Sequence, residues 1–96
     1  MPENPGPAVD SQELLLEPAD NSSLANLSGQ FDDNLRQIER RLGIQINHRG
    51  NRFRLTGPAA SVRAATHVLR DLYGLAGREA VDTQRVHIAL QEALME

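Results

Sequence analysis

Two stretches of period-two alternation, Ile44-Gln45-Ile46-Asn47-His48 and Arg52-Phe53-Arg54-Leu55-Thr56, are separated only by Arg49-Gly50-Asn51. Side chains that switch between apolar and polar at every residue belong to strands with one buried face, and a short link holding glycine closes two such strands into a hairpin. Gly50 suits the positive φ that a tight turn takes. The alternation sets Ile44, Ile46, Phe53 and Leu55 on one face and Gln45, Asn47, Arg52 and Arg54 on the other. A hairpin of this kind calls for helices against its apolar face and leaves its polar face open.

Both flanks supply such helices. Upstream, Asp32 stands at a helix N-terminus, with Leu35, Ile38 and Leu42 spaced three and four apart. Asp32 and Asp33 at its start and Arg40 and Arg41 at its end complement the helix dipole, and Gly43 stops it. Downstream, Gly57-Pro58 ends the strand, and Val62, Ala65, Leu69 and Leu72, with Val68 beside them, form the buried stripe of a second helix. Before this unit, Asp20 and Asn21 cap a short helix through Leu24 and Leu27 that ends at Gly29, and Glu13 to Glu17 brackets an apolar run long enough for one strand. After it, Gly74 to Val81 is a connector, and Asp82 or Thr83 caps a last helix with Val86, Leu90, Ala93 and Leu94 on one face. Residues 1–12, with three prolines and scattered polar residues, are expected to be a disordered tail. Residues 13–96 are expected to form a single α+β domain, β-α-α-β-β-α plus one C-terminal helix, with a three-stranded sheet packed on one face by helices.

Ninety-six residues suffice for one domain, and with Phe31, Phe53 and Tyr73 as the only aromatics its core is mostly aliphatic. There is no cysteine, which removes disulfides, thiolate chemistry and cysteine-bound zinc. All ten basic residues are arginine, so neither a catalytic lysine nor a phosphate-loop lysine exists in this chain. Charge is segregated: residues 1–35 carry seven acids and no base, whereas residues 36–54 carry six arginines against Glu39 alone. An overall net charge of −3 argues against a general polyanion binder, and the local basic zone keeps a specific anion contact open. His48, His67 and His87 lack metal-ligand spacing, and no nucleophile motif is present, so no catalytic residue and no metal site is expected. The N-terminus lacks the features of a signal peptide and no apolar run could span a bilayer, so a cytoplasmic protein without membrane contact is expected.

Residues 27–46 resemble a KH domain: Gly29 opens a Gly-x-x-Gly-like loop, Asn34 and Leu35 start the following helix, and Ile38, Gly43, Ile44 and Ile46 lead into a strand. Leu55 to Gly57 and the helix from Val62 to Leu72 match the later KH strand and helix. Asp32 stands where the second loop glycine would be, which makes Gly29, Gln30, Phe31 and Asp32 a degenerate KH loop, and carboxylates there repel phosphate. A fuller resemblance, over about residues 13–94, is to the N-terminal domain of PhoH-like proteins. It is carried by Asn21 to Gly29, Asp32 to Leu35, Ile38 to Gly43 and Arg49 to Asn51. That resemblance implies a non-catalytic domain that positions RNA or a partner for an adjacent P-loop ATPase domain. ATP and Mg²⁺ would belong to that domain, and an endoribonuclease of ribosomal RNA maturation is an implied partner. The alternative is a protein-interaction or oligomerisation module with no RNA contact.

The candidate contact residues are Arg49, Gly50, Asn51, Arg52, Arg54, Arg36 and Arg40. Arg52 and Arg54 either meet phosphate or a partner, or pair across strands with Glu13 and Glu17. Their face presents no aromatic on which a base could stack. Arg36 and Arg40, one turn apart, either line a groove beside the Gly29 loop or form a solvated surface with Asp32–Arg36 as an i, i+4 pair. Arg49-Gly50-Asn51 either serves only as a turn or also docks RNA or the ATPase half.

Overall fold

The structure is a computed structural model that describes residues 9–95. It contains strand β1 (Val9–Leu15), helix α1 (Asn21–Ser28), a 3₁₀ turn at Gln30–Asp32, helix α2 (Asp33–Leu42), strands β2 (Gln45–Arg49) and β3 (Arg52–Pro58), and helices α3 (Ala59–Ala76) and α4 (Thr83–Leu94). The three strands form an antiparallel sheet in the order β1-β3-β2, and the α+β expectation holds. β3 is central because each neighbour pairs with it, from Val9 opposite Pro58 to Leu15 opposite Arg52 on one side and from Gln45 opposite Thr56 to Arg49 opposite Arg52 on the other.

The hairpin alternation is realised residue by residue. Ile44, Ile46, Phe53 and Leu55 are buried, and Gln45, Asn47, Arg52 and Arg54 are exposed. The buried face receives Leu27 of α1, Leu35, Ile38 and Leu42 of α2, and Val62, Ala65, Leu69 and Leu72 of α3 in one continuous core. Val86 and Leu90 of α4 are fully buried in the same core, so the last helix packs on this domain.

Several boundaries differ from the sequence expectation. Residues 9–12, assigned to a disordered tail, belong to β1; residues 1–8 of that tail lie outside the described residues. The cause is that residues 9–13 are all exposed and are held by backbone pairing with β3, which leaves no hydrophobic signature. The connector begins three residues later than expected, since α3 runs through Gly74 to Ala76. Burial of Tyr73 and Ala76 carries the helix past the glycine, and the Tyr73 hydroxyl donates to the Pro18 carbonyl at 2.6 Å. Leu94, assigned to the buried face of α4, is 53% exposed because it falls in the last turn, beyond the packed helices.

Asn34 holds the helical layer together. It is 4% exposed, and its Nδ2 donates to the Leu27 carbonyl at 3.0 Å and the Val81 carbonyl at 2.8 Å. One amide therefore joins the end of α1, the start of α2 and the link between α3 and α4. Asn26 adds to this joint: its side chain donates to the Ala76 carbonyl, and its own carbonyl accepts from the Val81 N–H. Gly29 is required beside it, because its φ is 76° and a Cβ there would stand 2.8 Å from Asn34 Nδ2.

The α1 cap is formed by Asp20, whose Oδ2 accepts from both the hydroxyl and the N–H of Ser23. These two bonds hold its carboxyl below the ordinary carboxylate range. A lowered folded-state value means the cap contributes fully above the unfolded-state value and is lost as pH falls through the folded one.

Two outcomes follow. Asn34→Ala strands two buried carbonyls and should cost about 1–3 kcal/mol, read as a lower urea midpoint with an unchanged slope. Asp20→Ala should lower the melting temperature at neutral pH, and the gap to wild type should close as the solution is acidified through the carboxylate range.

Candidate functional site

A groove of about 370 Å³ runs between α2 and β2, lined by Asp32, Leu35, Arg36, Glu39, Arg40, Ile46 and His48. Helical spacing explains the first wall, since residues 32, 35, 36, 39 and 40 share one face of α2 and the turn before it. Strand alternation explains the second, since Ile46 and His48 sit two apart on the helix-facing side of β2.

The two acids of the groove are engaged. Glu39 Oε2 accepts the Ile46 N–H at 2.7 Å, and Asp32 Oδ2 lies 3.6 Å from His48 Nε2. The His48 ring is stacked on Phe53, its cross-strand partner, with centroids 4.9 Å apart and planes 13° from parallel. Arg36 and Arg40 are exposed, and among the described residues neither forms an ion pair. The groove thus offers two guanidinium forks one turn apart over a floor of Leu35 and Ile46. That combination suits an anionic group attached to a flat or apolar one.

The structure corrects the expected role of Asp32. It does not cap α2 through its side chain, and no Asp32–Arg36 pair is present among the described residues. The reason is conformational: Asp32 has φ 59° and ψ 26°, which places its carboxylate beside His48. Phe31 precedes it with φ 56° and ψ 30°. Two successive left-handed residues other than glycine cost roughly 1–2 kcal/mol apiece. The Phe31 side chain is nonetheless 79% exposed. The aromatic missing from the open sheet face is therefore present on this loop.

The hairpin candidates lie on a different surface. Arg52 and Arg54 project from the sheet face that carries no helix, and Arg54 Nη2 pairs with Glu13 Oε2 at 3.0 Å, as cross-strand pairing requires. Glu17 lies beyond the end of β1, and Arg52 stands opposite Leu15 instead. Gly50 takes φ 58° in the turn. The Asn51 side-chain amide donates to the Leu16 carbonyl at 2.8 Å, and the Asn51 backbone carbonyl accepts the Leu16 N–H at 2.9 Å, so this residue ties the turn to the end of β1. The structure therefore brings Asp32, Arg36 and Arg40 together and separates them from Arg52 and Arg54.

His48 and Glu39 were missed as groove residues. Alternation through Ile44 and Ile46 places position 48 on the helix-facing side, a signal that was present; the bond from Glu39 to a strand amide had none. Among the described residues, no three His, Cys, Asp or Glu side chains cluster closely enough to hold a metal ion, and no helix is long and apolar enough to cross a membrane. No family model matches the chain, and no solved structure matches it significantly.

Proposed function

We propose that this chain is a KH-like RNA-contacting domain, the N-terminal part of a PhoH-like protein, and that it presents RNA to an adjacent P-loop ATPase domain. The observation that carries the proposal is the pair of exposed arginines, Arg36 and Arg40, that line the groove between α2 and β2 and form no ion pair among the described residues. The element order and the antiparallel β1-β3-β2 sheet support the KH-like assignment. So does the left-handed backbone at Asp32, which is the conformation glycine favours at the corresponding loop position.

Phosphate recognition falls to side chains in this proposal. A loop carrying Asp32 and Asp33 is a poor cradle for phosphate, whereas arginine forks bind it bidentately. ATP and Mg²⁺ would be held by the ATPase domain, since this chain has no lysine and no phosphate-binding glycine loop. No catalytic step is assigned to these residues, and the proposed location is the cytoplasm, with an endoribonuclease of ribosomal RNA maturation as a proposed partner. A second reading, a protein-interaction module, is favoured by Ile88, Leu94 and Met95, which are exposed along α4 and just past its end.

The test is titration with short single-stranded RNA at 50 and about 200 mM salt. Binding should weaken with salt. In Arg36→Ala/Arg40→Ala the log–log salt slope should fall by about 1.4, at roughly 0.7 per lost phosphate contact on a single strand. Arg52→Ala/Arg54→Ala should bind nearly as wild type. No binding at high micromolar RNA would exclude the RNA role, and loss confined to the Arg52/Arg54 variant would move the site to the open sheet face.

A further inference from the structure

Among the described residues, Phe31 combines high exposure of a large apolar side chain with a left-handed backbone. It is 79% exposed, so it adds nothing to the core, and it holds a left-handed backbone that glycine or asparagine would adopt at lower cost. The loop that carries it is tied back on itself by backbone bonds. The Asp32 N–H returns to the Gly29 carbonyl, the Asp33 N–H returns to the Gln30 carbonyl, and Gly29 is packed against the buried Asn34. A large aromatic ring is therefore presented to solvent from a hydrogen-bonded turn.

Its surroundings define what could cover it. The next residue, Asp32, lines the α2–β2 groove together with Arg36 and Arg40 of the helix that follows. An exposed ring on the loop that leads into a groove with two arginines outside any ion pair combines the two things a single strand takes, a stacking face for a base and cations for its phosphates. A purely apolar partner would leave both arginines unused.

We propose that Phe31 is the stacking platform for one base of a single-stranded RNA whose phosphates lie on Arg36 and Arg40. This rests on the groove being an RNA site and specifies how that site holds the strand. The loop contributes a π-face where its carboxylates rule out a phosphate cradle, and the groove contributes the charge. Stacking tolerates any base, so this contact supplies affinity with little sequence preference.

The experiment uses fluorescein-labelled hexaadenylate RNA and an abasic strand of the same length. Phe31→Leu should weaken hexaadenylate binding by about 5- to 150-fold, the range that loss of one base–aromatic stack gives, with the salt slope unchanged. The abasic strand should bind wild type and Phe31→Leu equally. Phe31→Gly removes the ring and suits the observed φ, so it should melt no lower than Phe31→Leu and show the same loss. The chain has no tryptophan, so Phe31→Trp introduces a single indole, whose emission should be quenched by hexaadenylate and not by the abasic strand.

Unchanged affinity in Phe31→Leu and Phe31→Gly, with binding still lost in Arg36→Ala/Arg40→Ala, overturns the stacking role and leaves the groove intact. Absence of any binding by wild type overturns both. Self-association of the wild type that Phe31→Leu abolishes would assign the ring to a protein contact and also overturn the inference.

Discussion

The double hydrogen bond from Asn34 to the Leu27 and Val81 carbonyls is the constraint on which the rest of the molecule depends. It joins α1 to α2, because the donor lies in the first turn of one helix and the first acceptor in the last turn of the other. It also ties the link before α4 to that corner, so the helix farthest along the chain is registered against the earliest one. The groove inherits this geometry. Arg36 and Arg40 line the groove from the helix that starts at this corner, and the loop that carries Phe31 leaves Gly29, where the buried amide leaves no room for a Cβ. A neutral side chain is well suited to this position: it can donate twice in a buried setting without the desolvation cost of a charge.

What could be read from the residues follows from which forces leave a pattern. The hairpin and the stripes of α2 and α3 were legible because burial repeats with the period of the element. Ile44, Ile46, Phe53 and Leu55 all lie where alternation puts them. The Glu13–Arg54 pairing was among the expected alternatives because strand pairing brings those two positions together. The first half of β1 was not legible. Val9 to Glu13 are held by backbone bonds to β3, and such bonds are blind to side-chain type. Gly74 was misleading in the opposite direction, since packing of Tyr73 and Ala76 outweighs the modest penalty of one glycine inside a helix.

The candidate site was only half visible for a related reason. Helical spacing placed Arg36 and Arg40 together, but their availability depends on where the nearby acids go. In one of the two readings Asp32 pairs with Arg36, and in the structure it lies beside His48 instead; Glu39 is drawn to a backbone amide. Both outcomes are set by tertiary contacts across α2 and β2. The lining holds two arginines and two acids, so what leaves the guanidinium groups free to meet an outside anion is where the two carboxylates point and not an excess of arginine.

Glu39 has one more effect. β2 is an edge strand, and its outward amides are open to any extended segment that approaches. At Ile46 that rung of the ladder is already filled by a carboxylate of the same chain. A strand arriving from a second molecule would have to expel a charged side chain before it could pair. The residue that helps leave the arginines unpaired also guards this sheet against growing past its third strand on that side.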